Sequence, residues 1–503
     1  MDQLLKRALN ARVSEVLPAP TPLDPAPILA ARLGHPVLLK REDLTPIFSF
    51  KIRGAYNRIV RLGDAARAAG VIAASAGNHA QGVAFAARKL GIRARIVMPR
   101  TTPAIKIDAV RRLDAAIELV GDDYADAAAA CAARAAETGM TVIPPYDDLD
   151  VIAGQATVGL EILRQAPRDL GTVLVPVGGG GLAAGVAAVI KELRPEVRVV
   201  GVQSDDSDAM TRSLAAGSRV ALDHVGIFAD GVAVREVGVH TFALCQRYLD
   251  GCLTVGVDEI CAAIKDAFDD TRSVLEPAGA LALAGLIQAA EAGRLPGGPA
   301  VAVASGANMN FTRLRYVAER ADVGEHREAV LAVTIPERPG AFRELCEALG
   351  ERSVTEFNYR LATRDEAHVF LGVEVADRTE GAAFVAALRA RGYDCVDLTE
   401  DDLAKTHVRH MVGGRAGAPC DEAVFSFEFP ERPGALMQFL THLGGRWNIS
   451  LFHYRNHGAA FGRVLCAFEA RAAERADLVA RIANLGFTYT DETDDPAVRL
   501  FLR

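Results

Sequence analysis

Four short stretches of this 503-residue chain carry residue types that could act together on one small molecule. The first is Ser49-Phe50-Lys51-Ile52-Arg53-Gly54-Ala55-Tyr56, a lysine set among small and apolar residues. Ser49 reads as an N-cap, and Ile52, Tyr56 and Ile59 recur at helical spacing. A lysine at a helix N-terminus feels the positive end of the dipole, which favours its neutral amine, the form Schiff-base chemistry needs. The second is Ser75-Ala76-Gly77-Asn78-His79-Ala80-Gln81-Gly82, between a strand and a helix. Its small residues let backbone approach a ligand, and the Asn78 amide can hold a carboxylate or a phenolate oxygen. The third is Gly178-Gly179-Gly180-Gly181-Leu182, where a strand, a glycine block and a helix can wrap N–H groups around a phosphate. It lacks both G-x-G-x-x-G and Gly-Lys-Ser/Thr, so it reads as a monophosphate cup rather than a dinucleotide site or a P-loop. The fourth is Ala304-Ser305-Gly306-Ala307-Asn308, at the end of an apolar strand, whose serine can meet a ring nitrogen. Each stretch alone has a simpler reading: a solvated lysine, a capping turn, a flexible strand-to-helix turn, a second cap. His79 by itself reads as structural.

The elements that must position these residues are legible as alternating apolar strands and alanine-rich helices from Val37 to about Asn310. Strands are expected at 37–40, 70–73, 94–98, 117–120, 172–175, 197–202 and 300–303, with helices typified by Gly82–Leu90 and Tyr124–Thr138. That alternation predicts an α/β fold with two open, mostly parallel sheets, which collect ligands at the carboxyl ends of strands. Residues 1–30 read as a short helix and a Pro-rich connector.

Beyond Glu319 the pattern changes to an internal repeat. Ile335-Pro336-Glu337-Arg338-Pro339-Gly340-Ala341 is echoed by Phe429-Pro430-Glu431-Arg432-Pro433-Gly434-Ala435 at an offset of 94 residues (430 − 336), and Glu356-Phe357-Asn358-Tyr359-Arg360 by Leu451-Phe452-His453-Tyr454-Arg455. Each copy reads as a ferredoxin-like βαββαβ unit. The expected domains are therefore 1–325, 329–400 and 422–495, with a Gly-rich linker over 401–419.

Lysine, phosphate cup, asparagine and serine together match pyridoxal 5′-phosphate. The motifs S-F-K-x-R-G-A, S-A-G-N-H-A-Q-G, G-G-G-G-L and S-G-A-N resemble those of the fold-type II pyridoxal-phosphate enzymes, and with the doubled tail the whole chain looks like a biosynthetic threonine dehydratase. The resemblance implies that Lys51 carries the cofactor as a Schiff base and that Asn78 meets its ring oxygen. It implies that Gly178, Gly179, Gly180, Gly181 and Leu182 hold its phosphate, that Ser305 faces its ring nitrogen, and that Glu276, in E-P-x-G, lies near the ring. Ser75, Gly77, Asn78 and His79 would embrace the substrate carboxylate. The implied reaction is deamination of L-threonine, and of L-serine, to the 2-oxo acid, with isoleucine as inhibitor and valine as antagonist. Tyr359 and Tyr454 are the implied effector contacts in ACT-like regulatory domains, and the implied assembly is a homotetramer. A serine dehydratase, another β-eliminating relative and a non-catalytic amino-acid sensor are the alternatives.

Two departures from relatives stand out. Ala76 replaces the second serine of relatives that racemise serine, which favours elimination over racemisation. Gln203 stands where some relatives carry a metal-binding acid, so no metal site is expected. The composition is that of a globular protein, with net charge −8 and no basic block, so nucleic acid and anionic membrane are not expected partners. No signal peptide or membrane span is expected either, because the apolar run Thr172–Ile190 is split by Pro176 and the glycines. Scattered cysteines read as reduced, buried thiols of a cytoplasmic protein.

Overall fold

The computed structural model describes residues 3–502 apart from 227, 312, 326, 351, 362, 364, 402, 405–407, 411–420, 431–434, 444–445, 456–460, 485, 497 and 499–501. It divides into two compact units, Met1–Ala321 and Asp322–Arg503. The linker glycines Gly413, Gly414 and Gly417, with Pro419, and the second turn Pro433-Gly434 lie outside the described residues.

The first unit holds two sheets. The larger runs Leu23–Pro25, Val37–Arg41, Ala300–Ala304, Thr172–Pro176, Arg198–Ser204, Gly251–Val255, parallel throughout except for the first strand. The smaller runs Ala116–Leu119, Ala94–Met98, Val71–Ala74, Thr141–Val142, all parallel. The central strands Val71–Ala74, Thr172–Pro176 and Ala300–Ala304 are buried along their whole length, which is why they read as unbroken apolar runs rather than as alternating ones. Three edge strands escape the apolar pattern: Leu23–Pro25, inside the Pro-rich connector, the two-residue Thr141–Val142, and the half-exposed Gly251–Val255.

The helix Lys51–Ile59 is packed so closely that glycine is required on both sides. A Cβ on Gly54 would lie 2.4 Å from Gln155 Nε2, and one on Gly154 would lie 2.6 Å from the Arg53 carbonyl. On its other side, a Cβ on Gly82 would lie 3.1 Å from the Lys51 carbonyl. Fully buried Arg53 adds an ionic anchor. Its guanidinium donates to Glu42 at 2.7 and 2.8 Å and to Glu161 at 2.6 and 2.8 Å. A buried ion with this many partners fixes the rotation of the helix about its axis, and with it the direction of Lys51.

Ser49 is not the N-cap. Phe50 holds that position in a helical conformation, with no side-chain cap bond. Ser49 is instead drawn into a bridge with Gly306, and its backbone N–H donates to the Thr45 hydroxyl at 2.9 Å. Tertiary pairing with the loop after Ala304 outweighs the local capping preference.

The second unit is a continuous eight-stranded antiparallel sheet. Its order is Asp394–Asp397, Glu328–Pro336, Glu366–Glu374, Val354–Arg360, Ile449–Arg455, Phe461–Glu469, Glu422–Pro430, Thr488–Asp491. Each half has the expected ferredoxin-like order, and the halves join through Val354–Arg360 and Ile449–Arg455. Helices Ala341–Leu349, Arg378–Ala390, Ala435–Leu443 and Arg475–Ala483 accompany it, and the two repeats share one aromatic core that includes Phe342, Phe357, Phe427, Phe439 and Phe452.

Candidate active site

Lys51 opens its helix with the ammonium turned inward, where Nζ donates to the Pro145 carbonyl at 2.8 Å. Burial pushes its amine down to about 8, against the opposing pull of Glu276. The segment ahead of it is tied to the Ser305 loop by Phe50 N–H to Ser305 O, 3.2 Å, and Ala307 N–H to Phe48 O, 2.9 Å. Phe48 takes a left-handed φ of 56° to allow this pairing. Two distant motifs of the sequence are thereby one structure.

The Asn78 loop comes to the same place. Ser75 Oγ accepts the Gly77 N–H at 3.2 Å, and Asn78 starts the helix Asn78–Lys89. Asn78 Nδ2 donates to Glu276 Oε1 at 2.5 Å, and Asn78 Oδ1 accepts from Asn308 Nδ2 at 2.6 Å. Glu276 occupies the N-cap position of the helix Pro277–Glu291 without a side-chain cap bond, and burial pushes its carboxyl up to about 7, against the Asn78 bond. His79 faces away from this chain of bonds. Its Nε2 lies 2.8 Å from the Ile143 carbonyl, which only accepts, so Nε2 carries the proton. Burial and the Lys51 charge push its pKa down to about 3, so the ring is neutral. Ser305 is buried and its hydroxyl donates to the Ala278 carbonyl at 3.2 Å.

The glycine block leads from the strand Thr172–Pro176 into the helix Gly181–Leu193, with Gly180 at φ 95°. A side chain on Gly179 or Gly180 would force a neighbour to move, and one on Gly178 or Gly181 would be tightly confined. A Cβ would meet the Val232 backbone at 3.0 Å from Gly178, the Tyr146 ring at 2.3 Å from Gly179, Met210 at 2.8 Å from Gly180 and Tyr146 at 3.1 Å from Gly181. Thr241 Oγ1 donates to the Gly179 carbonyl at 2.6 Å and secures the turn. The first N–H groups of a helix have no acceptor inside it, so this turn offers donors to an anion.

Pro145 and Tyr146 escaped the sequence reading, yet they join Lys51 to the glycine block. The signal was present in Pro144-Pro145-Tyr146-Asp147-Asp148, a Pro-rich loop running into a capped helix. Asp148 caps the helix Leu149–Gln165 through the N–H groups of Asp150 and Val151. Asp147 accepts from the N–H groups of Val239, His240 and Thr241. Gln203 is fully engaged by the protein. It donates to the Val177 and Ser207 carbonyls and accepts from the Thr211 N–H and hydroxyl. Among the described residues no group of three or more His, Cys, Asp or Glu is placed to hold a metal ion, and no helix is long and apolar enough to cross a membrane.

Residues 15–306 match the family model for pyridoxal-phosphate dependent enzymes. Residues 319–408 and 413–502 each match the model for the C-terminal regulatory domain of threonine dehydratase. The chain is 54% identical to the biosynthetic L-threonine dehydratase of Burkholderia multivorans, over 99% of both chains. It is 50% identical to that of Escherichia coli, over 99% of this chain and 97% of the other. The chain belongs to the biosynthetic threonine dehydratase family. Among solved structures, the processed form of threonine deaminase isoform 2 from Solanum lycopersicum superposes with a TM-score of 0.62 at 47% identity, covering 63% of this chain and 92% of that one.

Membership of this dehydratase family makes pyridoxal phosphate the cofactor, and the site accommodates it. A Cβ on Gly77 would meet nothing within 4 Å, so the loop leaves open space. The Ser49 hydroxyl, two residues from Lys51, is buried with no protein partner. The donor set is a buried amine, helix-terminal N–H groups and an amide N–H, which are complementary to an aldehyde, a phosphate and a ring oxygen.

The dehydratase tail places its two tyrosines symmetrically. In the central strand pair Tyr359 faces Phe452 and Tyr454 faces Phe357. Tyr359 is buried and its hydroxyl donates to Glu337, in the first Pro-Gly turn. Asn448 of the second copy donates to the same Glu337 at 2.7 Å. Beside them is a partly open cleft lined by Arg338, Gly340, Phe342, Leu440, Trp447 and Ile449, among others.

Proposed function

We propose that this chain deaminates L-threonine to 2-oxobutanoate and ammonia, and that isoleucine bound in the second unit restrains it while valine opposes isoleucine. The observation that carries the catalytic half is Lys51, whose amine is turned inward, pushed down to about 8 and bonded to the carbonyl of Pro145, next in sequence to the tyrosine that lies over Gly179. In this reading Lys51 holds the cofactor covalently, the turn from Gly178 to Leu182 holds its phosphate, and Asn78 and Ser305 meet its ring. When bound, pyridoxal phosphate supplies an electron sink for the charge left at the substrate's α-carbon. Lys51, released by the incoming substrate amine, takes the α-proton. The loop from Ser75 to His79 gives its N–H groups to the substrate carboxylate and so orients the α-C–H toward Lys51. Loss of the β-hydroxyl and hydrolysis of the resulting imine give the oxo acid and ammonia. Nothing in the sequence supplies a base on the opposite face, where Ala76 stands, so elimination is favoured over racemisation.

The regulatory half rests on the cleft beside Glu337. Phe342, Leu440 and Ile449 offer an apolar wall for a branched side chain. Trp447 is 8% exposed and its indole N–H has no protein acceptor, a donor that suits a carboxylate. We place the enzyme in the cytoplasm as a homotetramer, in line with its likeness to bacterial dehydratases. The test is an assay of 2-oxobutanoate from L-threonine, with and without isoleucine, and with L-serine as competing substrate. No product from threonine would overturn the catalytic reading, and inhibition unchanged after removal of residues 325–503 would overturn the regulatory one.

A further inference from the structure

The Ser305 loop contains an asparagine, Asn308, for which neither the motif nor the mechanism has yet accounted. Its amide nitrogen donates to two acceptors, the Ile47 carbonyl at 2.8 Å and Asn78 Oδ1 at 2.6 Å. Asn78 in turn donates from Nδ2 to Glu276 Oε1. The series runs in one direction, because a backbone carbonyl can only accept: Ile47 fixes which end of Asn308 is the NH₂ group, and Asn308 fixes which end of Asn78 is the oxygen. Turning the Asn78 amide over would set its NH₂ against that of Asn308 and its oxygen against the Glu276 carboxyl. The first contact is repulsive at every pH, and the second wherever the Glu276 carboxyl is ionised. Gly306 belongs to the same arrangement, since a Cβ there would lie 2.4 Å from Glu276 Oε1. The motif therefore has three parts: Ser305, the space at Gly306 that admits Glu276, and the amide at Asn308.

An amide nitrogen carries two hydrogens, and Glu276 takes one of those on Asn78. We propose that Asn308 is a positioning residue that locks the Asn78 side chain so that its second N–H is presented as a donor to the ring oxygen of pyridoxal phosphate. This rests on the reading that Asn78 meets that oxygen. By holding Ile47 as well, Asn308 keeps the segment leading into Lys51 in register with Asn78, so the amine and the amide donor are set by one side chain.

The test is titration of the full-length apoenzyme with pyridoxal 5′-phosphate and with its 3-O-methyl ether, which lacks the ionisable ring oxygen. The dissociation constant of the ether divided by that of pyridoxal phosphate reports the ring-oxygen hydrogen bond and is insensitive to a general loss of packing. Asn308→Ala should reduce that ratio about tenfold, the scale of one hydrogen bond to a charged group. In an Asn78→Ala background it should reduce the ratio no further, because the two act through one bond. A wild-type ratio in Asn308→Ala would overturn the inference. A wild-type ratio in Asn78→Ala would overturn the reading of Asn78 itself, and the inference with it. If Asn308→Ala does not fold by circular dichroism, Asn308→Asp, which keeps the shape and loses both donated bonds, carries the same expectation. Failure of both to fold would assign Asn308 a purely structural role and overturn the proposal.

Discussion

Arg360 in the first tail repeat grips Glu422 in the second through both guanidinium nitrogens, at 2.5 and 3.0 Å, with side chains only 6% and 4% exposed. Arg360 ends the strand that joins the two halves of the sheet, in which Asn358 faces His453 and Arg360 faces Leu451. Glu422 also accepts from the Ser450 hydroxyl at 2.5 Å, while its counterpart Glu328, 94 residues earlier (422 − 328), accepts from the Thr355 hydroxyl. The repeat therefore conserves a buried carboxylate and its hydroxyl partner. The cation differs: the first copy uses Arg409, whose Nε donates to Glu356 at 2.9 Å and whose Nη2 reaches Glu328. Arg360 thus ties the first repeat to the second, and Arg409 ties the segment between the repeats to Glu328 and Glu356 of the first.

Arg360→Leu takes the bidentate counter-charge from buried Glu422, and breaking a buried pair from one side costs about 3–5 kcal/mol. The variant should lower the unfolding free energy of the second unit by up to that amount, read as a lower denaturant midpoint. The double variant Arg360→Leu/Glu422→Leu should recover most of it, since a buried pair contributes little net stability over an apolar pair. Unfolding followed by Trp447 fluorescence, the chain's one tryptophan, reads this unit selectively. Equal losses in single and double variants would contradict the argument.

Lys51 makes a prediction about pH. Its amine is depressed from 10.5 to about 8, so between those values the unfolded chain binds a proton that the folded chain does not. Stability therefore rises with pH across that window, and the buried charge is a cost below pH 8. Lys51→Met should stabilise the apoenzyme at pH 7 by up to about 3 kcal/mol, with the gain shrinking as pH approaches 10.5. Cofactor uptake by wild-type apoenzyme, which needs the neutral amine, should accelerate with pH around a midpoint near 8. Uptake that is flat from pH 6 to pH 9 would contradict the assignment of that amine.

Glu276 gives the opposite sign. Its carboxyl is raised from 4.5 to about 7, so the folded chain holds a proton in that window that the unfolded chain has lost, and stability falls as pH rises through it. Its charged neighbours are Asp230, which raises it further, and Lys106 and Arg313, which oppose the rise. Glu276→Gln, which is uncharged at every pH, should stabilise the apoenzyme at pH 8 by up to about 3 kcal/mol and have little effect near pH 4.5. Thermal unfolding of both proteins across this range checks it, and a pH-independent difference would refute it.

The glycine block was legible as a tight strand-to-helix turn, but the reason for each glycine was not. Hydrophobic periodicity gave the buried strands because their burial is written into consecutive apolar residues. It gave the repeat because Pro336 and Pro430 stand in matching contexts. It could not give Tyr146 over Gly179, Pro145 against Lys51, or Asn308 on Asn78, because those contacts join residues far apart in the chain. Ser49 failed as a cap for the same reason: Gly306 lies 257 positions away (306 − 49) and decides its conformation. The fold was legible where the signal is local, and the site's composition was legible through its motifs. The second layer around the motifs depends on tertiary pairing and was not.

Gly179→Ala tests that second layer. Its Cβ would sit 2.3 Å from the Tyr146 ring, so the ring must move, and the ring stands between the glycine turn and the loop whose Pro145 carbonyl accepts from Lys51. The variant should fold, lose roughly tenfold or more in cofactor affinity, and regain part of that loss when Tyr146→Ala is added. Equilibrium dialysis of pyridoxal phosphate against each apoenzyme makes the comparison. Wild-type affinity in Gly179→Ala would show that the ring position does not matter to the turn.

Trp447→Phe isolates the regulatory reading. The indole is nearly buried, stacks under Arg446 at 4.8 Å and lines the cleft with Phe342 and Leu440, yet its N–H has no acceptor among the described residues. A buried donor left without a partner costs about 1–3 kcal/mol, so its removal should not lower the unfolding midpoint. If that N–H serves an effector carboxylate, losing it removes a hydrogen bond to a charged group. The isoleucine concentration for half inhibition should then rise about tenfold. Phenylalanine keeps a six-membered ring for stacking but is smaller than indole, so an unchanged unfolding midpoint by circular dichroism is what separates the lost N–H from lost packing. Inhibition curves at fixed threonine decide it. An unaltered half-inhibiting concentration would place isoleucine elsewhere in the second unit, away from the cleft beside Glu337.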